Sequence, residues 1–180
     1  MTVSEWSQGA SSLTVMAEPY VHRLVARNTT GLRLGIYPDP RQTPLAAHKT
    51  LSYVYYTQAG QWAHEHGHDE ALILNPDGTV SEGNSTGLLV IVGKRVIRPE
   101  SPAALPSVMA AAVCRQLTAW GYTVEVAPVA PRDLMTADLV LSTSGMMGAV
   151  PVIAIDGVER DPGPDLWRRV NDAIIPGWSG

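Results

Sequence analysis

A chain of 180 residues, 45% of them apolar and 17% charged, is long enough to bury one real core and too short to promise two. Its net charge of −4 supplies no basic field for a polyanion, so nucleic acid is excluded as the expected partner in favour of a small molecule or another protein. Cys114 is the one cysteine, which excludes a disulfide framework and a Cys-based zinc site. The start lacks the pattern of a secretory signal and no apolar run nears the roughly 18 residues of a membrane span, so a soluble cytoplasmic protein is expected.

Residues 1–11 are polar and rich in Ser and Gly, predicting a flexible tail ahead of a single domain over 12–180. Strands are expected at 12–17 and 32–37. The three prolines of 37–44 then forbid regular structure and make a loop that delivers Lys49. Over 50–67 the apolar residues Leu51, Val54, Tyr55, Ala59, Trp62 and Ala63 form a helical stripe that ends at Gly67.

The middle of the chain reads as short strands at 71–74, 79–82, 88–92 and 95–99, joined by turn chemistry at 75–78 and at Gly93-Lys94. A helix follows over 104–120, a strand over 123–128 and a short helix over 131–137. Strands at 138–143 and 150–157 precede a last helix over 165–174, introduced by Pro162-Gly163-Pro164. Strands and helices alternate without a GxGxxG phosphate loop. The expected fold is therefore α+β, or mixed α/β, with a curved, largely antiparallel sheet instead of a Rossmann unit.

Of the 13 cationic residues only Lys49 and Lys94 are lysines, so a lysine-dependent chemistry has two candidates. Lys49 follows a rigid loop, precedes an amphipathic helix and is flanked by Ala46, Ala47 and Leu51. Partial burial there would favour the neutral amine that attacks carbonyls, whereas a lysine at a surface would only snorkel. Glu82 ends a strand and enters the small polar run 83–86, where a carboxylate would face a cavity or simply close a turn.

Other signals point elsewhere. His64, His66 and His68 lie at i, i+2 and i+4 beside Asp69 and Glu70. A metal cluster is the sharp interpretation of that run and a solvated helix end the better one. Met146-Met147 suits a flexible pocket lining or the core, and Cys114 suits a buried structural thiol. No GxSxG elbow is present to support a hydrolase.

Three segments in order, Lys49-Thr50-Leu51-Ser52-Tyr53, Gly67-His68-Asp69-Glu70-Ala71 and Val80-Ser81-Glu82-Gly83, resemble the lysine, G-x-D-E-A and V-x-E-G motifs of the class IV (fold type IV) pyridoxal-phosphate enzymes. That family includes aminodeoxychorismate lyases and D-amino-acid and branched-chain aminotransferases. Ala137-Asp138, Thr143-Ser144, Pro151-Val152, Ile155-Asp156-Gly157 and Pro162-Gly163-Pro164 follow in the family's order, so the resemblance runs from about Leu13 to Ile174.

The resemblance implies that Lys49 forms the internal aldimine and shuttles a proton between the substrate α-carbon and the cofactor. It implies that Glu82 pairs with the protonated pyridine nitrogen and that Tyr53 bonds the phenolate or phosphate side. Val108 at a helix start, with Ser144 and Gly145 in a turn, would meet the phosphate, and Arg41 would meet a substrate carboxylate or fix its loop.

The match departs from the family in four places. By the resemblance, the family's smaller N-terminal domain is expected to be missing ahead of the first strand. The family's L-x-G-I-T-R is replaced by Leu105-Pro106-Ser107-Val108-Met109-Ala110. The phosphate turn reads Thr143-Ser144-Gly145-Met146-Met147, and the Asn that ordinarily follows E-G-x-x-S is Gly87. Each lost hydrogen bond to a phosphate would weaken the cofactor by about 1.5 to 3 kcal/mol.

The expected function is therefore an aminotransferase or an aminodeoxychorismate-type lyase acting on an amino acid or amino-bearing acid. A cofactor-free homologue that converts or binds a biosynthetic intermediate in the old cavity is the alternative, as is a non-catalytic partner of a full-length relative. A homodimer is expected, because active sites in this family lie near the interface.

Overall fold

The computed structural model describes residues 3–6, 10–22, 25, 29–40, 45, 47–175 and 177. Its elements in chain order are β1 (Val3–Trp6), β2 (Ala10–Leu13), β3 (Leu32–Ile36), α1 (Val54–Glu65), β4 (Glu70–Leu74), β5 (Val80–Gly83), β6 (Gly87–Val92), β7 (Arg95–Pro99), α2 (Val108–Ala119), β8 (Thr123–Ala127), α3 (Pro131–Thr136), β9 (Leu139–Ser144), β10 (Gly148–Ile155), β11 (Val158–Glu159) and α4 (Leu166–Ile174). No helix among the described residues is long and apolar enough to cross a membrane.

One sheet runs β5-β4-β3-β10-β9-β6-β7-β8, with β11 attached to β10. Five of its strand pairs are antiparallel (β4/β5, β6/β7, β6/β9, β9/β10, β10/β11) and three are parallel (β3/β4, β3/β10, β7/β8). The mixed α/β fold with a curved, largely antiparallel sheet is thus the fold that the sequence predicts. Curling is seen where the two edges meet: Val80 N in edge strand β5 donates to Val129 O, just beyond edge strand β8, at 2.8 Å.

β10 is the hinge of this curl. Its first half, up to Pro151, pairs with β9, and from Val152 onward it pairs with β3 across a register shift. A proline tolerates this central position because its missing N–H falls where the strand changes partners.

The core lies between the sheet and helices α2 and α4, with Leu34, Leu72, Leu89, Leu141, Val150, Val113, Leu117 and Val170 all fully buried. A smaller second cluster covers the opposite face of β4, where Ala71 and Ile73 meet Tyr56, Ala59 and Ala63 of α1. This follows from strand periodicity, since Leu72 and its neighbours Ala71 and Ile73 point to opposite faces.

Four expectations need correction. The strand expected at 12–17 lies earlier, because β2 ends at Leu13 and pairs with β1 in a hairpin within the segment expected as a tail, while 14–22 is irregular. Helix α1 begins at Val54 instead of residue 50, so Leu51 and Val54 are exposed and Tyr56, not Tyr55, joins Ala59 and Ala63 on the buried face. Helix α2 begins at Val108 instead of 104, after Pro106, with Ser107 as N-cap accepting from Ala110 N at 3.1 Å. Met147 is buried in the core while Met146 is exposed, so the pair does not act as one lining.

Candidate active site

The segment leading into α1, the β5–β6 turn, the start of α2 and the β9–β10 turn enclose a cleft of about 310 Å³. Lys49, Tyr53, Glu82, Val108, Ser144 and Gly145 all line it, together with Tyr56, Asn84, Thr86 and Leu105. Residues drawn from four separate stretches of sequence are therefore brought to one place. Arg41 lies outside the described residues.

Glu82 reaches this cleft because β5 carries an extra residue. Glu82 pairs with Ile73 and Val80 with Leu74, which leaves Ser81 without an opposite number. A regular strand would put Val80 and Glu82 on one face. The bulge sends Val80 into the main core and turns Glu82 to the face that α1 covers.

There Glu82 is 6% exposed, and both its oxygens are met by donors. Tyr56 donates its hydroxyl to Oε1, and Leu105 N donates to Oε2 at 3.0 Å. Donors on both oxygens satisfy the hydrogen-bonding capacity that burial would otherwise leave unmet.

Lys49 stands in the cleft wall with an exposed side chain, so the partial burial expected of it is not found in this structure. Its placement follows from the late start of α1, which leaves residues 48–53 as an irregular wall instead of a first helical turn. Tyr53 donates its hydroxyl to Asn84 O at 3.1 Å. Burial pushes the Tyr53 phenol above its ordinary pKa of 10.0, and the Glu70 and Glu82 carboxylates push it further in the same direction.

A second, fully buried carboxylate supports the β5–β6 turn that lines the cleft. Glu70 Oε1 accepts from Ser85 N and Ser85 Oγ, each at 2.7 Å, and Oε2 accepts from Thr86 Oγ1 at 3.0 Å. Asn84 ties the same turn to β4, accepting from Ala71 N at 2.8 Å and donating its own N–H to Ala71 O at 2.9 Å. Gly83 is required here, since a Cβ would lie 3.0 Å from Glu70 Oε1 and closer still to Thr86 Oγ1.

At the opposite end, Ser107, Val108 and Met109 bring the first turn of α2 to the cleft. Ser107 takes up the Ala110 N–H, and the earlier N–H groups of a helix face outward from its N-terminus, where an anion is favoured. Val108, 84% exposed, can offer an anion only its backbone N–H, because its side chain is aliphatic. Thr143 Oγ1 is committed to Gly87 O at 3.2 Å, whereas a Cβ at Gly145 would meet only open space.

The histidines do not converge on a metal. His66 Nδ1 lies 2.7 Å from Trp62 O, and the His66 and His68 rings stack on Trp62 with centroids 4.7 and 5.9 Å away. No group of three metal-ligating side chains occurs among the described residues. Cys114 is buried, as expected, and burial raises its thiol pKa.

Sequence reading missed Tyr56, the Leu105 N–H and the support given by Glu70. Glu70 was visible as part of a motif without a role. Tyr56 carried a usable signal, since it stands three residues before Ala59 and seven before Ala63, the spacing of one helix face.

Comparison with known proteins bears on the family and the fold. The sequence is 33% identical over 108 residues to branched-chain-amino-acid aminotransferase-like protein 2 of Arabidopsis thaliana, covering 58% of this chain and 19% of the relative. It is 26% identical over 144 residues to the branched-chain-amino-acid aminotransferase of Escherichia coli strain K12, covering 78% of this chain and 47% of the relative. The chain thus spans about half the length of that enzyme, and less of the plant protein.

Among solved structures, the T.th. branched-chain amino acid aminotransferase complexed with N-(5'-phosphopyridoxyl)-L-glutamate superposes with a TM-score of 0.74 at 27% identity, over 81% of this chain and 51% of that one. The sequence profile of Amino-transferase class IV matches residues 5–155, and with that match the chain belongs to the class IV aminotransferase family.

Proposed function

We propose that this chain forms the cofactor-holding part of a pyridoxal-phosphate site and serves an aminotransferase or aminodeoxychorismate-type lyase reaction on an amino acid or amino-bearing acid. One observation carries the reading: an amine (Lys49), a buried, doubly held carboxylate (Glu82) and a helix N-terminus (Ser107 to Met109) line the same cleft. That donor set fits a ligand with a carbonyl, a cationic ring nitrogen and a phosphate.

Pyridoxal phosphate, when bound, supplies a carbonyl that takes up amines and a ring that withdraws electrons from the carbon bearing the nitrogen. Lys49 provides the amine that holds the cofactor and moves a proton at the substrate α-carbon. Glu82 keeps a proton on the ring nitrogen by remaining charged. The backbone N–H groups at Val108 and Met109, with the Ser144 hydroxyl, bind the phosphate. Tyr53 and Tyr56 shield one side of the cleft from water, which strengthens these electrostatic contacts.

The test is a titration of the purified chain with pyridoxal phosphate, followed by borohydride reduction and peptide mass spectrometry. An absorption band near the violet and a reduced adduct on Lys49 are expected. No band at saturating cofactor, or an adduct confined to Lys94, overturns the reading.

A further inference from the structure

We propose that Tyr56 is a positioning residue that fixes the orientation of the Glu82 carboxylate toward a cationic ring nitrogen. The proposal rests on the pyridoxal-phosphate reading of the cleft. It concerns a residue that stands three positions beyond Tyr53 and outside the motifs by which the sequence resembles its family.

A glutamate's last torsion joins an sp³ to an sp² carbon, and its rotational preference is broad. A carboxylate at the end of a strand therefore does not choose its own plane. Glu82 has its plane chosen by two donors on opposite sides: the Tyr56 hydroxyl on Oε1 and the Leu105 N–H, 3.0 Å away, on Oε2. Rotation about that torsion breaks one bond or the other. A carboxylate offers about four acceptor positions, and these two donors occupy one on each oxygen while leaving its direction fixed.

The Tyr56 end of this clamp is itself rigid. The residue is 9% exposed and belongs to the packed cluster of Ala59, Ala63, Ala71 and Ile73. Its ring lies against Tyr53 with centroids 5.1 Å apart and meets Tyr55 edge-on at 5.5 Å. The hydroxyl is thus carried on a ring that the core of α1 and β4 holds still, and only the O–H bond can turn. The bulge at Ser81 and the buried face of α1 together make one device: the first turns Glu82 toward the helix, and the second supplies the donor that stops it.

A residue that merely packs would support any ligand of the cleft equally. A residue that aims Glu82 matters only to a ligand with a ring nitrogen for Glu82 to hold. The experiment uses the whole chain, wild type and Tyr56→Phe, which keeps the ring and removes the hydroxyl. Dissociation constants are measured by absorbance and intrinsic fluorescence for pyridoxal phosphate and for its deaza analogue, in which CH replaces the ring nitrogen.

The expected result is that Tyr56→Phe weakens pyridoxal phosphate about tenfold and leaves the deaza analogue unchanged, as fits the loss of one hydrogen bond to a charged group. Glu82→Gln should remove the difference, so that Tyr56→Phe has no further effect in that background. Equal weakening of both ligands, or no weakening of either, overturns the assignment to Tyr56 and leaves the cofactor reading standing. If the wild-type chain takes up neither ligand, the cofactor reading falls and this proposal with it.

Discussion

Glu70, at the start of β4, accepts from both the backbone N–H and the hydroxyl of Ser85, each at 2.7 Å, and so ties the β5–β6 turn that lines the cleft to a strand of the sheet. The same carboxylate accepts from Thr86 at 3.0 Å, and Thr86 in turn accepts from Ser142 of β9 at 2.8 Å. One buried side chain thereby joins three parts of the fold.

Glu70→Ala is expected to destabilise the chain by about 3 kcal/mol, because buried donors lose their acceptor together, while Glu70→Gln costs about 1 kcal/mol because an amide oxygen still accepts. Urea denaturation measures both. Equal midpoints for the two variants would refute this account.

Lys49 separates chemistry from packing. Its side chain is exposed, so Lys49→Ala should shift stability by no more than about 0.5 kcal/mol while abolishing turnover and borohydride trapping. Lys49→Arg keeps the charge without a nucleophilic amine, and substantial turnover in that variant would exclude covalent amine chemistry at this position. Lys94→Ala removes a contact 4.0 Å from the Tyr122 ring centroid in the β6–β7 turn and should leave turnover unchanged.

Glu82→Gln tests the ring-nitrogen partner. The amide still accepts from Tyr56 or Leu105, so the fold should persist, but the negative charge is gone. Turnover should fall on the order of 100-fold, as when a single electrostatic partner is removed from an active site, while the adduct on Lys49 still forms. A variant with wild-type turnover would remove Glu82 from the chemistry.

Much of this was legible in the sequence because the relevant signals are local. The β6–β7 hairpin follows from Gly93, whose φ of 56° is the conformation a two-residue turn of this kind requires. Lys49, Glu82, Ser144 and Gly145 meet in one cleft because motif residues at strand ends and turns keep their relation to the sheet.

The illegible parts are those set by tertiary geometry. The bulge at Ser81 has no compositional mark, yet it decides which face Glu82 occupies. The spacing of Tyr56 to Ala59 and Ala63 marks it for the buried helix face, but what that face packs on, Ala71 and Ile73 of β4, is set by the fold. His68 resembled a ligand, whereas it packs over Gly35, where a Cβ would clash with its ring.

Assembly is open to a direct test. Leu51, Val54, Val108 and Met146 are between 66% and 84% exposed, and each lies in or beside the wall of the cleft. We propose that a second copy of the chain covers this apolar rim. Sedimentation at micromolar concentration should find a dimer, and Val108→Asp with Met146→Asp should shift it to monomer. A wild-type monomer would sink the proposal.

Tyr53 supplies a prediction in pH. Burial raises its phenol above the ordinary value of 10.0, and the Glu70 and Glu82 carboxylates add to the rise by opposing a nearby negative charge. The folded chain therefore holds this proton more tightly than the unfolded chain does. By linkage the associated stability is fully present below the unfolded pKa and is lost as pH climbs through the folded one. From about pH 10 upward, where the tyrosine of the unfolded chain ionises before that of the folded chain, the denaturation midpoint of wild type should fall more steeply than that of Tyr53→Phe. The tyrosinate absorbance of wild type minus variant should titrate above 10.0. A difference titration centred at or below that value would mean that neither burial nor the two carboxylates hold the proton on Tyr53, and that the phenol can ionise in the cleft instead of remaining the donor to Asn84.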